Sequence, residues 1–129
     1  EGVQSHLKID QTGLLFLPEG EFHELGLLFI QYLLKSRGIS VLYLGANVPI
    51  DDVEYIINAK KPDFLYTHLT SVSHGFSFDR FITQASKKFG QIPFIISGRL
   101  AVGFEKKMTG SINFKRSLRE VTEFIATLN

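Results

Sequence analysis

One short segment gathers residue types that bond metals: Glu21-Phe22-His23-Glu24-Leu25-Gly26. A neutral imidazole is a ready metal ligand, and a carboxylate on its second ring nitrogen fixes the tautomer and raises its basicity. Glu21, two residues before His23, can reach that nitrogen. Gly26 leaves room for something bulky against the first turn of the helix expected here. The same residues also suit a plainer role, with Glu21 and Glu24 as first-turn acids favoured by the helix dipole and His23 as a surface residue.

Several other chemistries are excluded. Gly20 and Gly26 are not followed by Lys-Ser/Thr, so there is no Walker loop, and no GxGxxG follows the first apolar run. His23-Glu24-Leu25-Gly26-Leu27 places Leu27 where a zincin helix needs its second histidine. A phosphoacceptor receiver needs an acidic pair after its first strand and an Asp ending its third, where Thr67 stands. A flavin phosphate loop needs several Ser or Thr where Pro18-Glu19-Gly20-Glu21 stands. Ser71, His74 and Glu21 form a triad only on paper, with no nucleophile elbow to present the serine. His68 and His74 read as polar loop residues rather than ligands. With no cysteine there is no disulfide, thiolate site or Cys nucleophile, and a reducing, cytoplasmic compartment is expected.

Strands alternating with helices must position the segment. Gly13–Leu17 is a continuous apolar run closed by Pro18 and Gly20, as for a strand buried on both faces. A helix is expected from Glu24 to Arg37, stopped by Gly38. Val41–Leu44 reads as a second strand closed by Gly45, and Pro49-Ile50-Asp51-Asp52 opens a helix with Val53, Ile56 and Ile57 on one face. Asp63–Thr67, Pro93–Ser97 and Ser111–Phe114 are the remaining strands. Phe78, Phe81, Ile82, Ala85 and Phe89 recur at helical spacing. Ser117-Leu118-Arg119-Glu120 is a capping box that launches a last helix with Leu118, Val121, Ile125 and Leu128 inward. Parallel strands need crossover helices, so the expected fold is α/β: a flavodoxin-like (Rossmann-like) three-layer sandwich on a five-stranded parallel sheet of order 2-1-3-4-5. Its ligand crevice lies beyond the carboxyl ends of the strands, walled by Pro18–Glu24, Thr67–Gly75 and Ser97–Val102.

The chain has 129 residues, enough for one domain. Residues 1–12 read as a linker or frayed N-terminal segment and 13–129 as the domain. Since the chain starts at Glu1 rather than Met, it is expected to be a piece of a longer polypeptide. A formal charge of +1 gives no field to draw nucleic acid or membrane, and no apolar run is long enough to span a bilayer. The first helix carries Leu25, Leu27, Leu28, Phe29, Ile30, Leu33 and Leu34, more apolar circumference than one sheet face can bury.

Taken together, Glu21-x-His23-x-x-Gly26 resembles the DxHxxG signature of cobalamin-binding domains, in the form with Glu first. Thr67-His68-Leu69 is similar to the Ser/Thr-x-Leu of that family, and Gly98-Arg99 stands where the family carries Gly-Gly after strand 4. Gly45-Ala46-Asn47-Val48-Pro49-Ile50 and Lys61-Pro62-Asp63 add to the likeness, which covers about Gly13 to Val102. It is most similar to the C-terminal sensory domain of MerR-like, light- or cobalamin-responsive transcription regulators. The resemblance implies that His23 is the lower axial ligand of cobalt, displacing the cofactor's dimethylbenzimidazole, with Glu21 as its partner. It implies that Gly26, Thr67, Leu69, Ser71, Ser97 and Gly98 line the slot for the nucleotide tail. Arg99 departs from the family pattern; its side chain could fill the slot or pair with the tail phosphate.

Two functions follow from this resemblance. One is a ligand-sensing module without turnover that binds adenosyl- or methylcobalamin. There, a helical bundle and a DNA-binding domain outside this chain would be partners, and homo-oligomerisation would answer the ligand. The other is the corrinoid domain of a methyltransferase or mutase, in which the cofactor does the chemistry and the protein orients it. A degenerate domain that has lost cobalamin, so that the isolated domain lacks it, is the third outcome.

Overall fold

The computed structural model describes residues 10–70, 75–103 and 111–128. Most of the expected N-terminal linker, together with Ser71 and His74, lies outside them. Within the described residues, strands and helices alternate: β1 (Thr12–Pro18), α1 (Leu25–Ser36), β2 (Ser40–Val48), α2 (Ile50–Lys60), β3 (Phe64–His68), α3 (Phe78–Lys88), β4 (Phe94–Ser97), α4 (Arg99–Gly103), β5 (Ile112–Lys115) and α5 (Leu118–Ala126). All strand pairs are parallel, in the order β2-β1-β3-β4-β5. This is the expected flavodoxin-like α/β fold.

β1 is buried from Gly13 to Pro18 because it lies inside the sheet, between β2 and β3, with helices over both faces. On one face Phe16 meets the rings of Phe81 and Phe89 from α3 and its neighbour, and Phe94 of β4, at centroid distances of 6.4, 6.2 and 5.7 Å. On the other, Phe64 and Tyr66 of β3 pack against Phe124 of α5 at 5.5 and 6.3 Å. α1 shares that second face with α5, while α2 and α3 lie on the first, joined at the surface by the pairing of Lys88 with Asp51.

The helix ends follow the sequence signals. α1 closes on Gly38, whose φ of 81° lets its amide reach the Lys35 carbonyl while Ile39 returns to Leu34. Ser77 caps α3 by accepting from the Arg80 amide, and Ser117 caps α5 by accepting from the Glu120 amide. The other arm of the expected capping box differs: the Glu120 carboxylate reaches past Ser117 and accepts from the Arg116 amide at 2.7 Å. Leu118, expected inward, is 62% exposed, whereas Val121, Phe124 and Ile125 of the following turns pack against the core.

Gly45 does not end β2. The strand runs on to Val48 through two register shifts against β1, so that Tyr43 pairs with Leu15, Gly45 with Phe16 and Val48 with Pro18. Gly45 and Asn47 take φ of 86° and 60°, which an apolar-run reading of Val41–Leu44 cannot register. α4 was also unforeseen, being one short turn that opens at Arg99.

Candidate functional site

The loop between β1 and α1, which carries the ExHxxG residues, is held from β2. The Glu21 amide donates to the Pro18 carbonyl at 3.0 Å, closing a turn with Gly20 at φ 90°. Asn47 clamps that turn twice: its side-chain oxygen accepts from the Gly20 amide, and its own amide donates to the Glu21 carbonyl, both at 2.9 Å. Asn is well suited to the left-handed conformation this needs. The clamp buries Glu21, with 1% of its surface exposed, and leaves His23 exposed two residues later. Glu24 precedes α1 and accepts from the Tyr43 hydroxyl at 2.7 Å. Burial and that bond raise the Tyr43 hydroxyl well above its ordinary range.

Past the carboxyl end of the sheet, a slot of about 200 Å³ opens between α1, the ends of β3 to β5 and the start of α5. Gly26, Phe29 and Ile30 form one wall, His68, Ser97 and Gly98 the floor, and Val102, Leu118 and Val121 the other side, with Lys115 and Arg116 at its edge. Of the residues expected here, Gly26, Ser97 and Gly98 come together in it. Leu69 supports it from beneath: its amide donates to the Ser97 carbonyl at 2.9 Å, and its own carbonyl accepts from the Leu100 amide at 3.1 Å. Gly98, at φ 102°, lies so close to that backbone that an added Cβ would sit 2.8 Å from the Leu69 nitrogen and carbonyl carbon. No side chain fits there.

Thr67 is fully buried on the opposite face of β3, and its Oγ1 is a buried side-chain polar atom without a hydrogen-bond partner. Arg99 opens α4 with its side chain exposed and is not among the slot's walls. It therefore does not fill the slot. The expected walls Pro18–Glu24 lie away from the slot; Pro18, Glu19 and Gly20 border instead a separate space of about 310 Å³ with Phe76, Ser77 and Arg80.

Three contributors were not singled out from sequence. Tyr66 donates to Ser97 Oγ at 2.8 Å, and that oxygen lies 2.7 Å from His68 Nδ1, so a polar chain runs beneath the slot. The alternation of Tyr66 and His68 on one strand was the available signal. Lys115 and Arg116 place two cationic side chains at the edge beside the α5 N-terminus. Burial pushes the His68 imidazole below its ordinary value, and burial lifts the Tyr66 hydroxyl to about 12 despite the opposing bond to Ser97. Both groups are therefore neutral at pH 7.

Among the described residues there is no cluster of three or more His, Cys, Asp or Glu able to chelate a bare metal ion. A single exposed imidazole can instead complete the coordination of a metal that brings its other ligands.

No protein-family model matches the sequence, and no curated protein matches it. Solved structures do. The fold is similar to a chain of the methanol:cobalamin methyltransferase complex MtaBC from Methanosarcina barkeri, with a TM-score of 0.69 and 19% identity over 92% of this chain and 46% of that one. It is similar to a cobalamin-binding protein from Desulfitobacterium hafniense, with a TM-score of 0.60 and 15% identity over 97% of this chain and 56% of that one. It is also similar to a response regulator receiver domain protein from Bacillus halodurans, with a TM-score of 0.61, 15% identity and coverage of 92% and 98%. The shared property is the fold. The chain spans about half the length of the two cobalamin proteins it matches.

Proposed function

We propose that this domain binds cobalamin, with His23 as the lower axial ligand of cobalt and the slot below Gly26 receiving the nucleotide tail. The observation that supports this most is the slot itself. It opens at a glycine of the first turn of α1, three residues after an exposed histidine and five after a buried carboxylate, on a floor of Ser97 and Gly98 too tight for another side chain. Its walls suit a flat heterocycle: apolar sides from Phe29, Ile30 and Val121, and a hydroxyl at the base. Lys115 and Arg116 at the edge suit the phosphodiester that joins the tail to the macrocycle. Arg99, exposed near the same end of the sheet, is a further candidate for that phosphate. Glu21 would orient the His23 ring; Thr67, buried on the opposite face of β3, takes no part in the slot. Ser71 remains a proposed slot residue. Bound there, the cofactor would supply the chemistry of its cobalt–carbon bond, while the protein supplies the axial imidazole and the tail pocket.

As to role, we read the domain as the sensing module of a transcription regulator. The exposed apolar residues Phe22, Leu25, Leu28, Phe29 and Tyr32, 44–83% accessible, support this reading as the side that a preceding helical domain or a second protomer would cover. The second reading is a corrinoid module of a methyltransferase, favoured by the likeness to the Methanosarcina barkeri complex.

The test is absorbance spectroscopy after mixing with hydroxocobalamin and gel filtration. The expected result is a coloured protein fraction whose visible spectrum changes in His23→Ala. Elution of both proteins colourless, or of both with one unchanged spectrum, refutes axial ligation by His23.

A further inference from the structure

Gly26 is the second residue of α1, a position that most other residues fill as well. Its backbone does not require it, since Gly26 is absent from the positive-φ glycines. What requires it is His68. A Cβ at position 26 would lie 2.6 Å from His68 Nε2 and 3.1 Å from Cγ, and would collide with Cδ2. The space that Gly26 opens is filled by the protein's own imidazole.

That ring is held there by hydrogen bonding. Tyr66 donates to Ser97 Oγ, and in the tautomer that leaves Nδ1 without a proton Ser97 gives its own hydrogen to His68 Nδ1. In that tautomer the ring's proton is on Nε2, the edge turned to Gly26. A planar nitrogen heterocycle accepting a hydrogen bond from Ser97, between α1 and the end of β4, is what His68 already is. It adjoins the remaining 200 Å³ of the slot, so its departure would enlarge one continuous space.

We propose that His68 is the resident occupant of a heterocycle site, closing the slot with its imidazole until an incoming aromatic base displaces it and takes over the Ser97 hydrogen. The inference deepens the cobalamin reading and rests on it for the identity of the natural base. His68 then sets the affinity for the tail, because binding must first break its bond to Ser97 and release its packing on Gly26. Losing a competing hydrogen bond of ordinary strength corresponds to about five- to tenfold in apparent affinity.

The first test uses no corrinoid. Melting temperatures of the 129-residue chain, His68→Ala and His68→Ser are compared with and without millimolar benzimidazole. Benzimidazole is expected to raise the melting temperature of the variants by several degrees and that of the wild type much less. An equal shift in wild type, or no shift in any of the three, overturns the proposal, and His68→Ser decides it if His68→Ala does not fold. The second test titrates hydroxocobalamin and cobinamide, the corrinoid without its tail. His68→Ala is expected to bind hydroxocobalamin about five- to tenfold more tightly and cobinamide unchanged; equal affinity of wild type and variant for hydroxocobalamin overturns it. If no protein binds either corrinoid, the cobalamin reading fails while the benzimidazole result still decides the role of His68.

Discussion

Gly98 sits where the floor of the slot meets the backbone after β3, and replacing it with alanine separates two costs that usually come together. The first is conformational. A φ of 102° places an alanine in a region L residues avoid, at about 1–3 kcal/mol. The second is steric. The new Cβ would be 2.8 Å from the nitrogen and carbonyl carbon of Leu69 and nearer still to its oxygen. These atoms are tied into bonds with Ser97 and Leu100, so they cannot simply turn aside. Forcing such a contact costs about 1–3 kcal/mol more. The expected loss is about 4 kcal/mol in total, which at about 4 °C per kcal/mol for a domain of this size lowers the melting temperature by about 16 °C. Gly20→Ala is the control: φ there is 90°, but nothing lies within 4 Å of the added Cβ. Only the conformational cost applies, and a fall of about 4–12 °C is expected. Differential scanning calorimetry of both variants reads the difference. Melting temperatures for Gly98→Ala and Gly20→Ala within about 3 °C of each other would refute the claim that the Leu69 backbone dictates glycine at 98.

Three further outcomes are expected. Tyr66 holds its proton to about pH 12 in the folded state against an ordinary value near 10, so its contribution is complete below pH 10 and lost as pH rises from 10 to 12; urea melts across that range should show the slope, and Tyr66→Phe should reduce it to the part that the likewise raised Tyr43 contributes. His68 is shifted the opposite way, downward by burial, so its contribution is complete above about pH 6.5 and lost as pH falls below that value; His68→Ala should flatten the acid limb of the stability profile. Phe16→Ala removes the ring on which Phe81, Phe89 and Phe94 converge and should cost about 3–5 kcal/mol by chemical denaturation.

The strand order was legible because each strand of the buried sheet announces itself as an apolar run and each crossover as a helix with a glycine or cationic stop. Gly13–Leu17 and Leu25–Leu34 are the clearest of these. What escaped was set by contacts distant in sequence. Nothing local in Val41–Gly45 says that β2 continues through Gly45, since the bulge depends on pairing with β1. Leu118 looks like a core residue by spacing, yet it is exposed at the first turn of α5. In the candidate site the glycines at 26 and 98 were readable as places of close approach, but the partners were not. Gly26 faces His68, which the sequence presents only as a polar residue in a loop, and Gly98 faces backbone, which carries no side-chain signature at all.

The two register shifts in β2 have a consequence for how copies of this chain meet. β2 is the outermost strand of the sheet on its side and, at 9 residues, longer than its neighbour β1 at 7. A long, regular edge of this kind would offer an unbroken row of amides and carbonyls to a strand from another molecule, the usual start of sheet-to-sheet aggregation. The extra residues interrupt that row, and Gly45 and Asn47, at φ of 86° and 60°, break the regular pleat along it. The irregularity that delivers Asn47 to the loop before α1 therefore also denies this edge to a foreign strand.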